Sequence, residues 1–251
     1  DGTNYASPPG HGAARLASHA RGRGITTITY GRPERCAQRP DAVVEDVDST
    51  ASGSTARVVW DGQGVALRLA VAGEHNVLNA TAALLAGAAL GVGLPEMAAG
   101  LASFTGTARR FEERGRVGSR RLFDDYAHHP TEVAAALRQA RVVAGGGSVT
   151  VVFQPHLYSR TRIFAARFAE ALAAADHVVV TDVYAAREDP EPGVDSTLIT
   201  SALPGSLYVP DMHEAARIGA GLVDEGGILI TMGAGSITSC GADVLECWRR
   251  G

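Results

Sequence analysis

Asp124, Asp125, Tyr126, His128 and His129 stand within DDYAHHPTE, residues 124–132. Two carboxylates, a phenol and two imidazoles so close together can move protons and hold anions. The preceding RRLF at 120–123 reads as a short strand, and Val133, Ala136, Leu137 and Ala140 recur at the spacing of one helix face. Pro130 suits a first helical position and Glu132 a first turn, where the helix dipole favours negative charge. The motif is therefore a strand-to-helix turn that sets His128 and His129 at the positive end of a helix, a place suited to an anionic substrate. The competing reading has Asp124 and Asp125 capping the turn and the histidines serving structure. Adjacent histidines also suggest zinc, but neighbouring side chains diverge and no third ligand stands beside them, so no metal is assigned to the chain.

Four further stretches carry usable chemistry. In GEHNVLNATAA at 73–83, Asn76 and Asn79 lie three apart at a helix start, and their amides can match a base edge such as that of adenine. The alternative is that one asparagine caps the helix and the other lies on the surface. In RRFEE at 109–113, Arg110 can fork onto a phosphate, or else is a surface arginine in a linker. In FQPHLYSRTR at 153–162, His156 and Arg160 emerge after a strand where a cation can hold a carboxylate or phosphate, and Thr161 is expected to cap the next helix. ITMGAGS at 230–236 is a glycine-rich turn, read first as tight packing and second as ligand contact.

The elements needed to position these residues follow from periodicity. A short helix at 13–22 leads into a strand at Ile25–Tyr30, and 31–42 is a connection. Ala56–Trp60 and Val65–Ala72, separated by Asp61-Gly62-Gln63-Gly64, predict a hairpin, followed by helices near 77–90 and 95–103. A boundary falls at 104–108. It divides the chain into residues 1–105, with helices and a small antiparallel sheet, and residues 106–251, where β-branched runs at Val149–Phe153, His177–Thr181 and Ile228–Met232 alternate with helices near 161–175 and 211–224. That alternation predicts an α/β domain with a mostly parallel sheet covered on both faces. In such sheets ligands bind beyond the carboxyl ends of the strands, where the polar residues of these motifs fall.

The composition narrows the partners. All 23 basic residues are arginine, so no P-loop lysine comes from this chain. A formal charge of −4 argues against broad nucleic-acid binding, and no apolar run approaches a membrane span. Cys36, Cys240 and Cys247 match neither a zinc nor a disulfide pattern, and we read them as reduced thiols of a cytoplasmic protein. The chain opens on Asp1 in what reads as a loop already under way, as expected of a fragment whose N-terminal part is missing.

Taken in order, GEHNVLNATAA, RRFEE, DDYAHHPTEV, VVFQPHLYSRT, DVYAAREDPEPGVDS and LITMGAGS resemble the Mur ligase family from about residue 20 onward. The resemblance implies the end of a central ATPase domain followed by a Rossmann-like C-terminal domain, with the UDP-binding domain and P-loop upstream. It implies an ATP- and Mg2+-dependent ligase of peptidoglycan synthesis that joins L-alanine to UDP-N-acetylmuramate through an acyl phosphate, with no oligomeric state specified. Carried over by motif, His75, Asn76 and Asn79 resemble adenine-side contacts and Arg110 the arginine that reaches the phosphates. Asp125 and Tyr126 resemble residues that assemble the nucleotide site, while His128, His156 and Arg160 face the amino acid and the muramoyl carboxylate. The catalytic set implied is Arg110, Asp125 and His128.

Two positions depart from the family pattern. Leu157 stands where many relatives carry arginine, which leaves Arg160 or Arg162 to hold a carboxylate, and Ser236 stands where an acidic or amide residue is common. Three rival readings remain. In the first, the same sugar nucleotide is joined to a ready-made tripeptide, a reaction whose enzymes usually have Phe where this chain has Tyr126. The second is a truncated binding module, and the third is a nicotinamide-binding domain, which lacks its GxGxxG turn here.

Overall fold

A computed structural model describes residues 12–36 and 38–250, in two compact units, residues 1–105 and 106–251. The loop expected at the chain's start, and Ala37 within the 31–42 connection, lie outside the described residues. Among the described residues no helix is long and apolar enough to cross a membrane.

The first unit contains α1 (Gly12–Gly22), β1 (Tyr30–Gly31), β2 (Ala42–Thr50), β3 (Gly53–Trp60), β4 (Gln63–Leu69), α2 (Glu74–Ala89) and α3 (Leu94–Ala102). Its sheet runs β1-β2-β3-β4, antiparallel except for the β1/β2 pair. The β3–β4 turn is tighter than the sequence implied. Asp61 and Gly62 alone span it, with φ of 48° and 73°, the left-handed values that a two-residue type I′ turn demands. One sheet face buries Val44, Val58 and Leu67 against Val77, Leu84 and Leu85 of α2 and Ala98 of α3.

Two expectations for this unit are corrected. The strand at Ile25–Tyr30 shrinks to Tyr30–Gly31, because Asp41 takes the Thr29 amide at 2.6 Å and its hydroxyl at 2.7 Å in place of a longer ladder. β2 went unread because a bulge between Glu45 and Asp48 breaks the alternation that marks a half-buried strand.

The second unit comprises β5 (Glu112–Val117), β6 (Arg120–Asp125), α4 (Pro130–Ala144), β7 (Val149–Phe153), α5 (Tyr158–Leu172), β8 (His177–Val180), α6 (Thr197–Thr200), β9 (Leu207–Tyr208), α7 (Met212–Gly221), β10 (Ile228–Met232), a 3-10 helix (Ser236–Cys240) and α8 (Gly241–Arg250). The sheet order is β5-β6-β10-β7-β8-β9, parallel from β6 to β9, with β5 antiparallel at one edge. This is the mostly parallel sheet that the β-branched runs predict. One face packs Phe123, Val151, Phe153 and Ile230 against Val133 and Leu137 of α4 and Phe168 and Leu172 of α5. The other packs Leu122, Val152, Val179 and Leu229 against Ala215 and Ala216 of α7 and Val244 and Trp248 of α8. With both faces covered, the loops at the strand ends are where polar side chains can reach solvent and ligand together.

β5 and α8 were not anticipated. β5 alternates charged residues along an edge, which reads as linker, and α8 follows the 3-10 helix with Gly241 at its start, which gives no clear start signal. α5 begins at Tyr158, three residues before the expected cap. Thr161 lies buried inside the helix, where its hydroxyl donates to the Leu157 carbonyl at 2.9 Å, so the capping role assigned to it is wrong. Leu157 holds the N-cap position instead.

Candidate functional site

β10 lies between β6 and β7, so the loops that follow these three strands emerge side by side at the carboxyl edge of the sheet. From β6 come Tyr126 and His128, from β7 His156 and Arg160, and from β10 the Gly233–Gly235 turn. Arg110 joins them from the segment before β5.

Asp124 and Asp125 divide their work. Asp124, 1% exposed, accepts from Arg109 Nε at 3.1 Å and from the hydroxyls of Thr231 and Thr238 at 2.8 Å each. It is a structural tie. Asp125 accepts the Ala127 amide at 2.7 Å on one oxygen and the Phe111 amide at 2.8 Å on the other. Burial nevertheless pushes its carboxyl up to about 6, outweighing the two amides and Arg110, which pull the other way.

A raised carboxyl of this kind has a signed effect on stability. The folded protein holds the Asp125 proton more tightly than the unfolded chain does, so the contribution is whole below about pH 4 and is lost as pH rises through about 6. Asp41 and Asp176 shift downward and act oppositely, so the comparison is with Asp125→Asn. Relative to that variant, the stability of the wild type should fall by roughly 3 kcal/mol between pH 4 and 7 in urea titrations. A difference that stays constant across that range refutes the assignment.

Arg110 is presented by an unusual backbone. Its neighbours Arg109 and Phe111 both take left-handed φ, 59° and 51°. Non-glycine residues persist there where surroundings compel them. The Arg109 amide donates to Glu112 at 2.9 Å, the Phe111 amide to Asp125, and the Tyr126 amide to the Arg109 carbonyl at 2.7 Å. The exposed Arg110 guanidinium lies 5.5 Å from the centre of the Tyr126 ring, and that of Arg109 lies 4.8 Å from it. Arg109 also donates to the Gly233 carbonyl at 2.7 Å. Sequence reasoning passed over Arg109, since nothing in a double arginine tells which one turns inward.

At the start of α4, His128 and His129 part company. His129 is the N-cap: its Nδ1 accepts the Thr131 amide at 3.3 Å, its ring packs against Phe164 with centroids 5.0 Å apart, and burial lowers its pKa. The Glu132 carboxylate accepts the amides of His128 and His129 at 3.0 and 3.2 Å. His128 points its Nδ1 at the Tyr126 carbonyl, 3.0 Å away. A carbonyl can only accept, so Nδ1 carries a proton, and it also lies 3.3 Å from the Glu132 carboxylate.

His156 stacks on Tyr184 with centroids 5.6 Å apart, and its ring centre lies 6.0 Å from that of His128. Arg160 Nη1 donates to His156 Nδ1 at 3.1 Å. Burial lowers the His156 pKa, and Arg160, His128 and Arg187 lower it further, so the ring is neutral beside a fixed guanidinium. Leu157, with φ of 73°, is held by its amide bond to the Tyr184 carbonyl at 2.9 Å. Arg162 pairs with Glu191 at 2.9 Å, which leaves Arg160 as the cation at the edge of this loop. The Gly233–Gly235 turn is tightly packed, since a Cβ at Gly233 would meet the Gln154 carbonyl at 2.5 Å. Ser236 donates to Met212 Sδ at 3.3 Å.

In the first unit, His75, Asn76 and Asn79 occupy the opening turns of α2. The cap residue is Gly73, without a side-chain bond, which removes the reading of an asparagine N-cap. Asn76 Nδ2 donates to the Ala72 carbonyl at 2.7 Å, which fixes its amide, and Asn79 is exposed.

Residues 109–235, over half of the chain, match the family model "Mur ligase, glutamate ligase domain", and the chain belongs to the Mur ligase family. It is 52% identical over 239 residues to the UDP-N-acetylmuramate--L-alanine ligase of Kineococcus radiotolerans, covering 94% of this chain and 50% of that protein. To the ligase of the same name from Renibacterium salmoninarum it is 46% identical over 247 residues, covering 98% and 52%. Among solved structures it resembles the UDP-N-acetylmuramate-alanine ligase MurC of Thermotoga maritima, with TM-score 0.75, 28% identity and coverage of 94% of this chain and 50% of that one. The chain thus spans about half the length of the curated relatives it matches.

Proposed function

We propose that this chain is part of a cytoplasmic, ATP-dependent ligase that joins L-alanine to UDP-N-acetylmuramate. The observation that carries the reading is the edge of the second unit where the guanidinium groups of Arg110 and Arg160 and the imidazoles of His128 and His156, from separate segments, stand near one another and can receive anions. The relatives' name, UDP-N-acetylmuramate--L-alanine ligase, supports two carboxylates among those anions, one of muramate and one of alanine, and the phosphates are proposed to be those of ATP.

In such a reaction the lactyl carboxylate attacks the terminal phosphorus of ATP and ADP departs. The amine of L-alanine then attacks the acyl carbon, forming the amide and releasing phosphate and a proton. Negative charge accumulates on phosphoryl oxygens, and the residues of this chain contribute by holding it and by orienting the reactants. Arg110 supplies a fixed guanidinium to the phosphates, with Tyr126 beneath it and Asp125 bracing the turn that presents both. Arg160 and His156 take a carboxylate, and His128 faces the amino acid beside them. His75, Asn76 and Asn79 serve the adenine side.

Magnesium belongs to this chemistry, where it would neutralise the phosphates. Asp124 and Asp125 do not fit it, because both are buried and both oxygens of each already accept hydrogen bonds. No role in holding the ion is assigned to them.

The test is phosphate release from ATP by the full-length protein given UDP-N-acetylmuramate with L-alanine or with a tripeptide. Release dependent on L-alanine supports the reading, dependence on tripeptide moves it to the recycling reaction, and silence with both refutes ligase activity. In the same assay Arg160→Ala should raise the KM for a carboxylate substrate by about 10- to 100-fold, the worth of one charged hydrogen bond. Asn76→Ala should raise the KM for ATP by about fivefold. Unchanged constants in both variants remove these residues from the binding roles.

A further inference from the structure

Three ligating side chains of the second unit take no part in the chemistry above. His213 lies in the first turn of α7, Cys240 ends the 3-10 helix, and Asp243 lies in the first turn of α8. His213 Nδ1 is 2.8 Å from Asp243 Oδ2 and 3.8 Å from Cys240 Sγ. All three ligand atoms fall within 4.8 Å of one another. Cys240 is fully buried, whereas the side chains of His213 and Asp243 are 44% and 26% exposed, so the thiol forms a floor beneath an opening to solvent.

We propose that His213, Cys240 and Asp243 bind a thiophilic divalent cation of the zinc type, with water completing a tetrahedral set. Metal–sulfur bonds of about 2.3 Å and metal–nitrogen or metal–oxygen bonds of about 2.0–2.1 Å place tetrahedral ligand atoms about 3.4–3.6 Å apart. The Nδ1–Sγ separation is already near that value, the Nδ1–Oδ2 pair opens by roughly half an ångström to reach it, and the sulfur and the carboxylate, within 4.8 Å of each other, draw together around the ion. Thiolate and carboxylate offset the two charges of the ion. Arg217 approaches the other carboxylate oxygen, Oδ1, at 3.7 Å, which leaves Oδ2 turned toward the site. A soft sulfur with an imidazole and a single carboxylate favours zinc or cobalt over magnesium or calcium. Without a metal, the same residues would make an ordinary His–Asp pair over a buried thiol.

Cobalt(II) separates the two cases, because thiolate coordination gives a near-ultraviolet charge-transfer band that a His–Asp pair cannot produce. Titration of the 251-residue chain should give this band at one equivalent of cobalt, and added zinc should bleach it. Cys240→Ala should abolish the band. His213→Ala, which alters a half-exposed side chain and leaves the core intact, should weaken binding by at least about tenfold. Absence of the band, or a band that survives both substitutions, overturns the site. The second result would assign the thiolate to Cys36 or Cys247.

Discussion

Asp124→Ala is expected to destabilise the second unit by about 3–5 kcal/mol, the cost of breaking a buried ion pair from one side. Asp124 gathers Arg109 from before β5, Thr231 from β10 and Thr238 from the 3-10 helix onto one buried carboxylate. Removing it leaves a guanidinium and two hydroxyls short of an acceptor. Thr231 keeps a weaker bond to the Phe123 carbonyl at 3.3 Å, which softens the loss at that point. A domain stabilised by only about 5–15 kcal/mol would show such a change as a large fall in the urea midpoint. Asp124→Asn retains part of the network and should cost less. The pair Asp124→Ala with Arg109→Ala should cost less than the sum of the two, since each leaves the other's charge unanswered. A midpoint that does not move, or strict additivity, would contradict the tie described here. On the proposed reading the tie bears on the nucleotide side through Arg109, whose guanidinium also secures the Gly233 carbonyl and lies over Tyr126.

Arg110→Ala in the full-length enzyme is expected to lower kcat by about 10²- to 10³-fold, the usual cost of losing one fixed donor to developing charge. Its stability should change little, because the side chain is exposed. Arg110→Lys should recover only part of the activity, since an ammonium cannot reproduce the planar fork of a guanidinium. The discriminating readout is the split between constants. A group that binds the ground state and the transition state equally would raise the KM for ATP and spare kcat. Activity within twofold of wild type would remove Arg110 from the chemistry.

The sequence by itself determined what local periodicity and turn chemistry can encode. Val149–Phe153 and Ile228–Met232 are strands because their continuous β-branched runs fit a sheet covered on both faces, and Asp61-Gly62 makes a hairpin because its residues tolerate left-handed backbone. The strand-turn-helix at 120–144 was legible for the same reason, down to Pro130 in the first turn. Tertiary structure alone decided that β10 inserts between β6 and β7, which brings three loops side by side at one edge of the sheet. It decided too that Asp124 is a tie and Asp125 a brace, that Arg109 turns inward while Arg110 stays exposed, and that Thr161 is buried in a helix. These outcomes depend on partners remote along the chain. The hydroxyls that Asp124 binds are 107 and 114 positions away, and no periodicity within a ten-residue window carries that information.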